Sequence, residues 1–177
     1  MGASGSGKDT LLRHLRAALQ PHEPILVAHR YITRASGTHE ASVSLSPTEF
    51  DRRVTMGCFA LHWQSHGLRY GIGVEIDTWL ASGAAVIVNG SRAHLPEACA
   101  HYPALTAVEV VADPEILAQR LAQRGRENPA QIAARLQRAT RAFDTPRACP
   151  VTPLPNNGAP EDAARQLLAV VRNRLHT

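Results

Sequence analysis

The chain opens MGASGSGKDT, and residues Gly2 to Asp9 read G-x-x-x-x-G-K-D. This is one residue away from the P-loop pattern G-x-x-x-x-G-K-[ST]. No other stretch constrains the fold as strongly, because such a loop joins a buried strand to a helix and commits the chain to an α/β core. Glycine lets the backbone wrap until successive N–H groups and the following helix N-terminus point at one anion. The cradle comprises Gly2, Ala3, Ser4, Gly5, Ser6, Gly7, Lys8, Asp9 and Thr10. Lys8 has the reach to contact terminal phosphates. Asp9 stands where a Ser or Thr hydroxyl usually holds Mg²⁺. Either Thr10 substitutes for it or Asp9 takes a water of the Mg²⁺ shell, since Mg²⁺ favours carboxylates and keeps its waters.

Only Met1 precedes the loop. A P-loop strand lies in the middle of its sheet, and its loss would leave two unpaired edges. The expectation is a natural gene product starting about eight to twelve residues earlier, the usual length of a strand with its lead-in. The alternative is a genuinely short and poorly stable chain.

Beyond the loop, strands and helices alternate. Apolar residues at Leu11, Leu12, Leu15 and Leu19 have helical spacing, ended by Pro21. "ILVA" (25–28), "AAVIVNG" (84–90) and "LTAVEVVA" (105–112) read as short buried strands, the latter two as strands buried on both faces. Helices are expected over 47–56 with Ser46 as cap, 74–81, 96–101, 114–123 with Asp113 as cap, 129–143 and 159–175. Residues 151–154 read as an edge or final core strand beside two prolines. Residues 29–83 are polar and turn-rich. This alternation implies a parallel α/β sheet with ligands at the carboxyl ends of the strands. With 177 residues, one domain is expected.

Composition narrows the partners. The net charge is +4, yet the arginines lie in short clusters, Lys8 is the sole lysine and aromatics make up 5%. That favours a small anionic substrate over nucleic acid. No run reaches the roughly 18 apolar residues of a membrane span. Cys58, Cys99 and Cys149 are odd in number and widely spaced, which argues against a disulfide framework or a zinc site and for a reducing, cytoplasmic compartment. The oligomeric state is left open, a homodimer included.

Three further stretches carry cations or hydroxyls. "HRYITR" places Arg30 and Arg34 after a strand, where arginine grips phosphate bidentately. "HGLRYGIG" sets Tyr70 between close-set glycines, with Arg69 beside it. "QRLAQRGRENPAQIAARLQRATR" carries Arg120 and Arg124 on one helical face and Arg135 and Arg138 on another. With a turn between, it forms a helical hairpin that becomes a lid over a P-loop.

These segments resemble, in order and over nearly the whole chain, the guanylate-kinase-like branch of the nucleoside monophosphate kinases. "GASGSGK" resembles its P-loop and "YITR" its acceptor loop. "SPTEFDRRVTMGCF" with "HGLRYG" resembles its acceptor subdomain, about 29–83, and residues of about 120–138 its lid. The resemblance implies a P-loop kinase fold, ATP and Mg²⁺, and acceptor phosphate contacts from Arg34 and Tyr70. It also implies lid contacts to the transferring phosphate from Arg124 and Arg135, with Arg120 beside them. Guanylate kinases read guanine with a glutamate where this chain has Leu61; Arg30, Arg69 and Gly37 also depart from their pattern. A leucine leaves guanine N–H groups unpaired. Base reading is lost and cations are gained, which suits a smaller and more phosphorylated acceptor.

"KDTLL", "VAHRYITR", "HGLRYGIGVEIDTWL", "VNGSRAHLPEA" and "RGREN" resemble the ribose 1,5-bisphosphate phosphokinase family. That family phosphorylates the sugar bisphosphate to 5-phosphoribosyl 1-diphosphate in phosphonate catabolism, and there the aspartate after the P-loop lysine is expected. Asn89, Ser91 and Arg92 then sit at the tip of a core strand, where guanylate kinases have acidic residues, and are expected to bind Mg²⁺ water or hydroxyls of the sugar substrate. The rivals are a nucleoside monophosphate kinase proper, which needs a base-reading side chain, and a non-catalytic guanylate-kinase-like binding module.

Overall fold

The computed structural model describes residues 1–3, 5–35, 41–123, 129–139 and 149–175. In chain order the elements are α1 (Lys8–Ala18), β1 (Ile25–Val27), β2 (Arg30–Ile32), β3 (Ser42–Ser44), α2 (Pro47–Thr55), β4 (Phe59–Ser65), β5 (Leu68–Gly73), α3 (Glu75–Ala81), β6 (Ala85–Ile87), α4 (Leu95–His101), β7 (Ala107–Val111), α5 (Pro114–Gln123), α6 (Pro129–Ala139), β8 (Val151–Pro155) and α7 (Pro160–Leu175). The chain divides into two compact units. One holds Met1–His14 with Gly90–Leu167, the other Leu15–Asn89 with Leu168–Thr177.

In the first unit β7 and β8 run parallel, with Ala107 opposite Val151 and Val111 opposite Pro155. The prolines of β8 are tolerated because the strand has a single described neighbour, as an edge strand does. Even-numbered residues of β7 serve its other edge: Val110 N–H donates to Met1 O at 2.8 Å, and the Met1 ammonium donates to Val108 O at 2.9 Å. Leu117 and Leu121 of α5 bury the apolar face that its helical spacing provides. Leu95, Ala107 and Cys149 form a further buried cluster with Met1, Cys99, Leu105 and Val151 around it.

Cys99 and Cys149 are disulfide-bonded, with Cα atoms 6.2 Å apart. This overturns the expectation drawn from an odd number of scattered cysteines. Parity counts candidates, but proximity decides pairing, and α4 carries Cys99 to the start of β8; Cys58 is the free thiol.

In the second unit β1 and β6 pair in parallel, Ile25 opposite Ala85. Ala85, Val86 and Ile87 are half-buried, not buried on both faces, and β1 is the one described strand beside them. The segment read as turn-rich holds a four-stranded sheet in the order β3-β2-β5-β4. β4 and β5 form a hairpin closed by His66 and Gly67, both at positive φ (52° and 73°). Two left-handed residues make the kind of turn whose twist matches paired strands. Ser46 caps α2 as expected, its Oγ accepting from Glu49 N–H at 3.1 Å, with Pro47 in the first turn. Phe50 of α2 is buried against Phe59, ring centroids 4.7 Å apart.

Candidate active site

The P-loop stands in the first unit as its glycines require. Gly2, Gly5 and Gly7 lie at φ 146°, 91° and 88°, conformations open to glycine. Ser6 N–H closes the turn onto Ala3 O at 3.2 Å, and Leu11 N–H donates to Gly7 O at 2.9 Å as α1 begins. Lys8 Nζ folds over the loop, donating to Gly2 O and Ala3 O at 2.8 and 2.7 Å. Asp9 and Thr10 occupy the first turn of α1. Ser4 lies outside the described residues.

Two residues close the loop from behind. Asn156, just past β8 and 2% exposed, donates from Nδ2 to Ser6 O at 2.7 Å. Arg120 of α5 brings Nη1 to 3.7 Å from the place a Cβ would take on Gly7. That nitrogen is buried and has no hydrogen-bond partner among the described residues. A guanidinium N–H buried without an acceptor is costly, and a phosphate oxygen would satisfy it. The loop and Arg120 therefore fit a nucleotide polyphosphate. The donor set also fits Mg²⁺, which needs one or two protein oxygens beside phosphate and water. Among the described residues no group of three or more His, Cys, Asp or Glu forms a metal cage.

α5 and α6 pack against each other as the hairpin reading requires. Arg124 lies outside the described residues. Arg135 lies on α6, and its side chain is also outside them. Arg92 pairs with Glu109 of β7 at 3.4 Å, both partly buried.

The second unit holds the acceptor residues. Tyr70 is not in a turn; it stands in β5 opposite Trp63 of β4 and Ile32 of β2. The two rings stack with planes 8° apart. Arg30 lies over the Tyr70 ring, 5.8 Å from its centroid. Arg34, just past β2, donates to Ala35 O at 2.9 Å and is half-buried. Arg69 neighbours Tyr70 on the strand and so projects to the opposite face. There it pairs with Asp51, donates to Pro47 O at 3.3 Å and lies over Phe50. Leu61 and Ile72 face each other across β4 and β5, both buried and apolar.

The fold thus brings Arg30 to Tyr70 and turns Arg69 toward α2. Trp63 and Asn156 were missed in the sequence. Strand alternation from Leu61 would have found Trp63, whereas nothing local marks Asn156.

No family profile matches the chain. Curated relatives do. The ribose 1,5-bisphosphate phosphokinase PhnN of Achromobacter xylosoxidans is 62% identical over 175 residues, 99% of this chain and 91% of the relative. The protein of the same name from Burkholderia mallei is 51% identical over 172 residues, 97% and 92% of the two chains. The chain belongs to the ribose 1,5-bisphosphate phosphokinase family. Its fold is that of the P-loop kinases: guanylate kinase from Anaplasma phagocytophilum superposes with a TM-score of 0.66 at 17% identity, over 95% of this chain and 81% of that one. A gluconokinase from Sinorhizobium meliloti follows at 0.51 and 19%, over 99% and 91%. For a ribose 1,5-bisphosphate phosphokinase, an apolar Leu61 is in keeping with an acceptor that carries no base edge to read. No helix among the described residues is long and apolar enough to cross a membrane.

Proposed function

We propose that the chain transfers the γ-phosphoryl group of ATP to the 1-phosphate of ribose 1,5-bisphosphate, giving ADP and 5-phosphoribosyl 1-diphosphate in phosphonate catabolism. The observation that carries this reading is the presence in one chain of a P-loop and of an acceptor segment in which buried Leu61 stands where guanylate kinases have a base-reading carboxylate. An oxygen of the 1-phosphate attacks the γ-phosphorus, and the bond to the β-phosphate oxygen breaks. That oxygen is already ionised at neutral pH, so no general base is needed. Catalysis is positioning and charge neutralisation.

Lys8 leaves its two loop carbonyls for the nucleotide phosphates, and Arg120 satisfies its buried N–H on them. We assign Arg124 and Arg135 to the transferring group from a lid of about 120–138. Closure of the lid excludes water and limits ATP hydrolysis. Mg²⁺, held from the Asp9–Thr10 turn with its waters, would neutralise charge on the bridging phosphates. Arg30, Arg34 and Tyr70 hold the acceptor within a subdomain of about 29–83. For Arg69 and Arg92 to join them, each must exchange its present carboxylate partner, Asp51 or Glu109, for a substrate phosphate. A supply of ATP and a phosphorylated sugar places the reaction in the cytoplasm.

The test is ADP release from ATP·Mg with ribose 1,5-bisphosphate or GMP as acceptor. Turnover on the sugar bisphosphate alone is expected. Turnover on GMP alone would overturn the acceptor assignment, and silence on both would return weight to a binding module.

A further inference from the structure

The phosphate cradle is steered by a residue that its motif does not contain. Asn156 is nearly fully buried at the end of β8, 150 positions from Ser6 in sequence. Its own backbone N–H donates to Val111 O at 2.8 Å, so the β7–β8 ladder fixes where it stands. Its side-chain nitrogen faces Ser6 O at 2.7 Å. A backbone carbonyl can only accept, so the nitrogen end of the amide must point at the loop. The same nitrogen stands 2.5 Å from the place that a Cβ on Gly7 would take, so the loop backbone lies directly against it.

The consequence follows from the geometry of the peptide unit. Ser6 C=O and Gly7 N–H belong to one planar trans peptide, in which they point in opposite directions. Holding the carbonyl toward Asn156 therefore aims the Gly7 N–H away from it. Glycine at position 7 adopts positive or negative φ with similar ease, so the loop alone does not choose between this peptide orientation and the flipped one.

We infer that Asn156 is a positioning residue for ATP, which pins the Ser6–Gly7 peptide so that the Gly7 N–H donates to the nucleotide's phosphates. This rests on the reading of the P-loop as an ATP site. It makes the end of β8 part of the nucleotide machinery without requiring Asn156 to touch the nucleotide.

The experiment uses the full chain and two variants, Asn156→Ala and Asn156→Asp. ATP·Mg affinity is titrated, KM is measured for each substrate, and thermal midpoints report the fold. Both variants should weaken ATP binding about tenfold at pH 8, the effect of losing one well-placed buried hydrogen bond, while KM for ribose 1,5-bisphosphate stays within about twofold. Asn156→Asp keeps the shape of the side chain, so it carries the test if the alanine variant does not fold. Unchanged ATP affinity in a folded variant, or an equal loss for both substrates, would each overturn the inference. A wild-type chain that binds no ATP would instead overturn the P-loop reading beneath it.

Discussion

Trp63 and Tyr70 face each other across the β4–β5 pair, with ring centroids 5.5 Å apart and planes 8° apart. The register of the hairpin puts them opposite, and the stack leaves Tyr70 two χ angles with little room to move. Arg30 covers the same ring. A phenol stacked on an indole and contacted by a guanidinium is held in one orientation. Tyr70→Phe keeps the stack and removes only that hydroxyl. It should leave the thermal midpoint near wild type and raise KM for the sugar bisphosphate about ten- to a hundredfold, the scale of one hydrogen bond to a charged group. An unchanged KM would remove Tyr70 from the acceptor site.

Lys8 and Arg34 test the two halves of the reaction. Lys8 donates to loop carbonyls, and Arg34 donates to its neighbour's carbonyl. Neither Lys8→Ala nor Arg34→Ala empties a core position. Each should lower turnover more than tenfold with an unchanged circular dichroism spectrum. A normal rate in either variant would remove that residue's role.

Glu23 gives an acid-stability prediction. A hydrogen bond from Arg172, with a second from Gln20 N–H, holds its carboxyl down at about 2, against 4.5 for the free group. The unfolded chain therefore binds the extra proton as pH falls from 4.5 to about 2. The stabilisation is complete above 4.5 and is lost through that window. Glu23→Gln cannot take up the proton. Denaturant titrations from pH 6 to pH 2 should show wild type losing more stability than the variant below pH 4.5, and parallel curves would refute the coupling.

The Cys99–Cys149 bond closes a loop over a sequence separation of 50. A loop of that size restricts the unfolded chain by about 4 kcal/mol. A reductant should lower the thermal midpoint of the wild-type protein and leave that of Cys149→Ala unmoved. Equal midpoints with and without reductant would show that the bond adds no stability.

Much of this architecture was legible because its causes are local. The α2 start needs only Ser46, Pro47 and Glu49 close together, and α5 starts at Pro114 directly after Asp113, as expected. The P-loop glycines announce their own backbone angles. The sheet within residues 29–83 was not legible. Its strands are short, and β2 pairs on one side with β3 and on the other with β5, some forty residues along the chain. Alternation over three residues such as Arg30–Ile32 cannot be told from a loop.

The sequence by itself determined the glycine-rich loop, the helix that follows it and the apolar residue at Leu61. Each depends on residue type and on neighbours within a few positions. Only the tertiary structure decided that Arg69 turns to Asp51 while Tyr70 meets Arg30 and Trp63, that Cys99 bonds Cys149, and that Asn156 grips Ser6. Those outcomes depend on strand sidedness and on contacts between distant segments, and burial of apolar side chains sets both only once the whole chain has packed.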